Sequence, residues 1–367
     1  MHIPKRFSLN LLAALSIGLT IIFTASCEDE NPDPATFDRA VMLRNIGDNS
    51  LLPVHKEFET SVQNLNSLAA SFQQTPNQQN LSALQDAWKE SKNRWKHCEV
   101  FNILAIRDDF LQNKIDKWPT NTAFLDRNLN GTDELTEAFV EGSGSTSKGL
   151  PALEYYLFAE NALESFTTDA LASRRLDYVK AMTENLLVRT TEIVQIWEGD
   201  MDDFSTNTEN FSKGSLNQLV NGQVAVLEKI LTDKLGKPIG KDNGGIAEPD
   251  EVEAYKGGIS LKLIEENLKG IEASFYGNPA QPGLGDLLDF IDAKQDGQLL
   301  SAAIESQLNA CLTKIVQIPD PLSQSVLDQQ QELEDLFDLV RDLAASFKVD
   351  MANNLGILIT FNDTDGD

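Results

Sequence analysis

The sequence predicts an all-α protein: two helical bundles in tandem behind an export segment. Apolar residues recur at helical spacing through almost the whole chain, and strict period-2 runs are scarce. One central stretch, from Asp200 to Gly214, carries little hydrophobic signal. About four helical stripes lie on either side of it. The chain therefore divides into residues 1–26 (export signal), 27–36 (tether), 37–204 (first bundle) and 205–367 (second bundle). No strict internal repeat accompanies this division.

The N-terminus reads as an address. Lys5 and Arg6 precede an apolar stretch over residues 11–23. It falls short of the ~20 residues a membrane span needs, but it suits the core of a signal peptide. Thr24-Ala25-Ser26-Cys27 has the small residues before a Cys that mark a bacterial lipobox, with Thr24 in place of the more usual Leu. On this reading Cys27 is acylated and anchors an exported lipoprotein at the outer membrane. The plainer alternative is a secretory signal with an incidental Cys. Glu28-Asp29-Glu30 and Asn31-Pro32-Asp33-Pro34 then form an acidic, extended tether. Such a cluster resembles the surface-export signal of Bacteroidetes lipoproteins, and it suits a solvated linker on the periplasmic face equally well.

The stripes follow in order. Phe58, Val62, Leu65, Ala69 and Phe72 step by four and three. After a Thr75-Pro76-Asn77 break, Leu81, Leu84, Trp88, Trp95 and Cys98 continue the rhythm. Val179, Met182, Leu186, Ile193 and Trp197 mark a further helix. In the second half come Leu216, Leu219, Val226 and Ile230, then Leu300, Ile304, Leu308, Cys311 and Ile315. Val326, Leu333, Leu336, Val340 and Phe347 close the series. Residues 128–148 and 236–249 read as loops.

Charge and composition narrow the function. The chain of 367 residues has 57 Asp and Glu against 30 Lys and Arg, a net charge of −27. Removal of the signal takes away Lys5 and Arg6 and no acid, leaving 57 against 28, or −29. So acidic a surface repels phosphate backbones, which excludes nucleic acid as a main partner. Three Cys in this length exclude a disulfide scaffold. Cys98 and Cys311 fall on apolar stripes in different halves and read as free buried thiols, with a bridge as the alternative. No motif for an organic cofactor is present.

One segment carries chemistry. Gly149-Leu150-Pro151-Ala152-Leu153-Glu154 opens a helix, with Pro151 read at its first position and Glu154 in its first turn. It resembles the Gly-x-His-x-x-Glu signature of the imelysin family, a group named for an insulin-cleaving membrane peptidase and linked to bacterial iron uptake. Further blocks agree: Trp88, Arg94, Trp95 and Glu99; Ile115-Asp116-Lys117-Trp118-Pro119; Lys234-Leu235-Gly236-Lys237-Pro238-Ile239-Gly240; Glu253, Tyr255 and Ser260, with Lys256 replacing a Ser; and the terminal Asp365-Gly366-Asp367. The resemblance covers residues 37–367. It implies two imelysin-like bundles with a site in the cleft between them, lined by Gly149, Glu154, Trp88, Arg94, Glu99, Asp116, Trp118, Tyr255 and Ser260.

Pro151 departs from that pattern. His and Glu at i and i+3 face one way and suit a shared metal, whereas Pro has no lone pair to give. His97, two residues from Glu99 on one helix, cannot share its direction and reads as a surface or boundary residue. His55, after Pro53 near a helix start, reads likewise. No zinc-peptidase or nucleophile-elbow motif occurs.

Glu99, Asp116 and Glu154 are grouped as oxygen ligands for ferric iron. The structural alternatives are an ion pair of Glu99 with Arg94 or Arg107 and a turn or helix-cap role for Asp116. Separately, Asp126, Asn128, Asn130 and Glu137 fit the spacing of a calcium loop, or of ordinary turn chemistry. The function expected is a lipid-anchored, non-catalytic protein that binds iron or an iron-bearing ligand. The alternatives are a metallopeptidase with a degenerate motif, or a surface module binding a glycan or protein through Trp88 or Trp118.

Overall fold

The computed structural model describes residues 36–360. Cys27, on which the anchoring reading rests, and the terminal Asp-Gly-Asp lie outside the described residues. Among the described residues, 37–360 form one compact unit, in which both halves take part. It is predominantly helical, and the only strands among the described residues form a hairpin of two two-residue segments, Lys294–Gln295 and Gln298–Leu299.

The apolar stripes form the helices they predict. Leu52–Gln74 buries Phe58, Val62, Leu65, Ala69 and Phe72. Gln78–Cys98 buries Leu81, Leu84, Trp88, Trp95 and Cys98, and it starts where the Asn77 side chain accepts the Asn80 N–H. Leu52–Gln74 packs against both Gln78–Cys98 and the long helix Ala172–Thr206, and the three form the core of the first half. In the second half Ser215–Lys229, Ser260–Tyr276, Leu300–Ile315 and Gln330–Ala345 do the same. Cys98 and Cys311 are both free and buried.

Three boundaries differ from expectation. The helix Ala172–Thr206 runs through the acidic Asp200–Asp203 stretch and stops only at Asn207. Its other face still buries Trp197, Met201 and Phe204, which outweighs the poor propensity of the acidic run. The last stripe is broken into Leu322–Asp328 and Gln330–Ala345. The 128–148 segment is not a plain loop: it contains the end of Thr122–Asn130 and a short helix, Glu137–Glu141.

The halves are in intimate contact. Helix Ser260–Tyr276 lies across Gln78–Cys98. At the crossing a Cβ on Gly270 would stand 2.5 Å from the His97 carbonyl oxygen, so only glycine lets the two backbones approach. This seam positions the site.

Candidate functional site

The helix Gly149–Leu157 is set by its first residue. Gly149 has φ of +73°, and a Cβ there would lie 2.2 Å from the Ile115 carbonyl oxygen. Gly149 thus locks the motif helix onto the segment that delivers Asp116. Pro151 is the third residue of this helix and Glu154 the sixth, so Glu154 sits beyond the first turn. Its carboxylate is buried and reaches the other half of the chain. Oε1 accepts the backbone N–H groups of Lys256 (2.9 Å) and Gly257 (3.0 Å). Burial pushes the Glu154 carboxyl up, against the pull of those N–H groups and of Lys92. Trp88 is buried and donates its indole N–H to the Leu150 carbonyl at 2.9 Å.

Beside Glu154 lies a buried ionic cluster. Lys92 and Lys96, one turn apart on Gln78–Cys98, enter it from the first half together with Glu99 and Asp116. Lys234 and Glu253 enter from the second. The Lys96 ammonium is fully buried and touches three carboxylates: Asp116 at 2.6 Å, Glu253 at 2.6 Å and Glu99 at 2.8 Å. Lys92 bridges Asp116 at 2.5 Å and Glu253 at 2.9 Å. Lys234 lies 3.3 Å from Glu99 and 3.2 Å from Glu253, and it donates to Asn267. Asn267 donates in turn to Glu99 (2.8 Å) and to the Lys96 carbonyl (2.8 Å). Lys229 sits half-exposed at the edge, 3.5 Å from Glu99.

The charges set one another. Burial alone would raise Glu99, but Lys229, Lys234 and Lys96 hold it well below the usual carboxylate range. Glu253 is held down likewise, against burial, by Lys234, Lys92 and Lys96. Burial disfavours charge on Lys96, yet Asp116, Glu253 and Glu99 outweigh it and raise its pKa. Lys234 goes the other way: burial brings it down to about 8 against the pull of Glu253 and Glu99. A buried charge is tolerated only when paired, and here ammonium and carboxylate alternate.

Several site residues lie elsewhere than expected. Arg94 points away from the seam and pairs with Glu57 and Glu90 on the surface. Glu99 therefore pairs with lysines, not with Arg94 or Arg107. Arg107 bonds to Asp108 and Gln218. Tyr255 is exposed, because Ala254 before it takes a left-handed turn, while Ser260 is buried and donates to the Glu253 carbonyl. Trp118 is partly buried, next to its cis peptide bond with Pro119.

The calcium loop does not form. Asp126, Asn128 and Asn130 lie on the helix Thr122–Asn130, where alternate residues point in different directions. Each also has another partner: Tyr155 donates to Asp126, Asn128 donates to Tyr178, and Asn130 bonds to the Asp126 carbonyl. Glu137 accepts from Asn185. His97 pairs with Glu266 at 3.3 Å in a partly buried position, as a boundary histidine would. His55 is not at the boundary: it is fully buried, with Nδ1 2.7 Å from the Leu51 carbonyl and its ring near Trp197 and Phe101.

Among the described residues no group of three His, Cys, Asp or Glu side chains is placed to hold a metal ion. Glu99, Asp116 and Glu253 converge, but ammonium groups stand between them, so the arrangement does not fit a bare cation. The site is a neutral ionic junction beside a motif glutamate that clasps the opposing half.

The chain belongs to the imelysin family, whose model matches residues 51–348. It is 21% identical over 292 residues to iron-regulated protein A of Synechococcus elongatus, covering 76% of each protein. Its fold is that of an imelysin-like protein from Psychrobacter arcticum (TM-score 0.71, 17% identity, 90% of this chain and 99% of that one). It is equally similar to a protein from Parabacteroides distasonis described as a putative iron-regulated protein A precursor (TM-score 0.71, 16% identity, 87% and 95%).

Proposed function

We propose that this chain is an exported, non-catalytic binding protein of bacterial iron acquisition. On this reading it is held at the outer membrane through Cys27 and takes an iron-bearing ligand at the seam between its halves. One observation carries the non-catalytic part. Pro151 stands where the signature has His, and the remaining motif carboxylate, Glu154, is engaged by two backbone N–H groups. The motif therefore offers no ligand pair for a catalytic metal. The names of the Synechococcus and Parabacteroides relatives support a link to iron, and the word precursor supports export.

The charge arrangement favours a chelate over the bare ferric ion. A hard cation would have to displace Lys96 from three carboxylates, whereas an anionic chelate would meet the half-exposed Lys229 ammonium at the edge of the cluster. Calorimetric titration with ferric citrate tests this. Binding is expected, and Lys229→Ala should weaken it about tenfold, the loss of one charge-assisted contact. Ferric citrate that binds no better than citrate alone would refute the iron reading. Chelator-sensitive cleavage of an unfolded protein, lost in Glu154→Ala, would replace it with the metallopeptidase reading.

A further inference from the structure

Exposed large apolar side chains are mostly single along the chain, but one short segment gathers three. Phe290 and Ile291 are 50% and 39% exposed, and Leu299, on the hairpin that follows, is 38% exposed. The backbone under them is fixed. The strands Lys294–Gln295 and Gln298–Leu299 are joined by Asp296 and Gly297, with φ of +50° and +84°, the left-handed pair of a tight type I′ turn. Lys294 stands opposite Leu299 in the register, and the Leu300 N–H bonds to the Ala293 carbonyl at 2.9 Å. Gln295 donates to Ser346 at 3.0 Å and to Asp350 at 2.8 Å, both on the helical segment Ser346–Met351. A group of apolar side chains held out on a rigid element marks a surface that meets something other than water.

The start of the chain says what it meets. The Phe37 ring packs on Phe290 with centroids 5.7 Å apart, so the patch lies where the tether enters the bundle. Cys27 precedes Phe37 by ten residues, which reach about 36 Å at most when fully extended. A unit of this size is about 50 Å across. With Cys27 acylated, so short a tether cannot let the opposite face rest on the membrane. Nor can the tether cover the patch itself: residues 28–36 hold four acids and no large apolar side chain. Residues 1–26 leave when the signal is cleaved. The apolar material within reach is the lipid that holds Cys27. Charge selects its headgroups. Asp289, Asp292 and Asp296 are exposed around the patch, and its one lysine, Lys294, is already held by Asp292 at 2.8 Å. Anionic headgroups are repelled there and zwitterionic ones are not.

We propose that Phe290, Ile291 and Leu299 dock into the zwitterionic phospholipid leaflet in which Cys27 is anchored, and so fix which face of the bundle looks at the membrane. This rests on the lipoprotein reading and is independent of iron.

The test uses the full chain with Ile291→Cys or Val316→Cys, labelled at the new thiol with a fluorescent dye and reconstituted into phosphatidylethanolamine–phosphatidylcholine liposomes. Cys98 and Cys311 are buried and escape the label. Val316 is 66% exposed and lies beyond the far end of the helix Leu300–Ile315, about 24 Å from the patch. Lipids brominated in their acyl chains should quench the dye at position 291 and leave the dye at position 316 unchanged. Adding phosphatidylglycerol should weaken that quenching, and salt should restore it. Equal quenching at the two positions in anchored protein would overturn the docking and leave the anchor standing. A chain that stays out of the liposomes would end the anchor and the docking together. Unlabelled Ile291→Cys chains that cross-link to one another more readily than Val316→Cys chains would put a second copy on the patch and overturn the proposal. Quenching strengthened by phosphatidylglycerol would overturn the choice of headgroup.

Discussion

Replacing Lys96 with Met tests whether the ionic cluster joins the halves. Lys96 is fully buried and within 2.8 Å of Asp116, Glu253 and Glu99. Methionine keeps the unbranched stem, one heavy atom shorter, and removes the charge, leaving three carboxylates with fewer partners. Breaking a buried pair by removing one partner costs about 3–5 kcal/mol. At about 2.1 cal/mol/K per residue, a unit of roughly 330 residues has an unfolding entropy near 0.7 kcal/mol/K, so Tm should fall by about 4–7 °C. The loss should depend on pH. Glu99 and Glu253 are held below the ordinary range, so their contribution is present above the unfolded carboxylate pKa of about 4.3 and is lost as pH falls through their folded values. The gap between wild type and Lys96→Met should therefore be widest near neutrality and narrow below about pH 4. Thermal melts followed by circular dichroism across pH read both effects. A Tm within about 1 °C of wild type at pH 7, or a gap that widens on acidification, would show that the cluster does not hold the halves together.

Other substitutions probe separate parts of the molecule. His55 is buried with its pKa lowered to about 4 by burial, against the pull of the Leu51 carbonyl, so stability should fall as pH drops from about 6.5 towards 4, by up to about 3 kcal/mol; in His55→Leu this part of the acid limb should vanish from a series of melts. Glu154→Ala strands the buried Gly257 N–H and the partly buried Lys256 N–H and should cost about 1–3 kcal/mol, while Glu154→Gln keeps an acceptor and should cost under about 1 kcal/mol in denaturant unfolding. Gly149→Ala forces both a left-handed backbone and a clash with the Ile115 carbonyl, and should reduce soluble yield and Tm more than Ala at any exposed helix position. Cys27→Ser should move the protein from the membrane fraction to the soluble one, and a variant that still pellets after washing would end the lipoprotein reading.

The helices could be read because apolar side chains fall in step with the helical turn, and Phe58, Trp95 and Ile304 all lie where that step puts them. The cluster was half visible. Glu99 and Asp116 stood out through the imelysin-like blocks that hold them, but the lysines that neutralise them did not, because lysine is by habit a surface residue. The usable signal was phase: Lys92 follows Trp88 by four and Lys96 follows Lys92 by four, which places both on the buried face. Arg94 lies out of that phase and is exposed. His55 is three before Phe58 and shares its buried side, which the neighbouring Pro53 obscured. The calcium pattern failed for the same reason in reverse: Leu125 and Leu129 are four apart and pull Asp126, Asn128 and Asn130 onto a helix.

The proposed function turns on an iron-bearing anion binding at the seam while the carboxylates stay with their lysines. A crystal structure of the protein grown with ferric citrate, with the iron located by anomalous scattering, would decide it. An iron peak is expected near Lys229, outside bonding distance of Glu99 and Asp116, with Lys96 in place. Iron bonded to those carboxylates with Lys96 displaced, or no iron at the seam, would contradict the proposal.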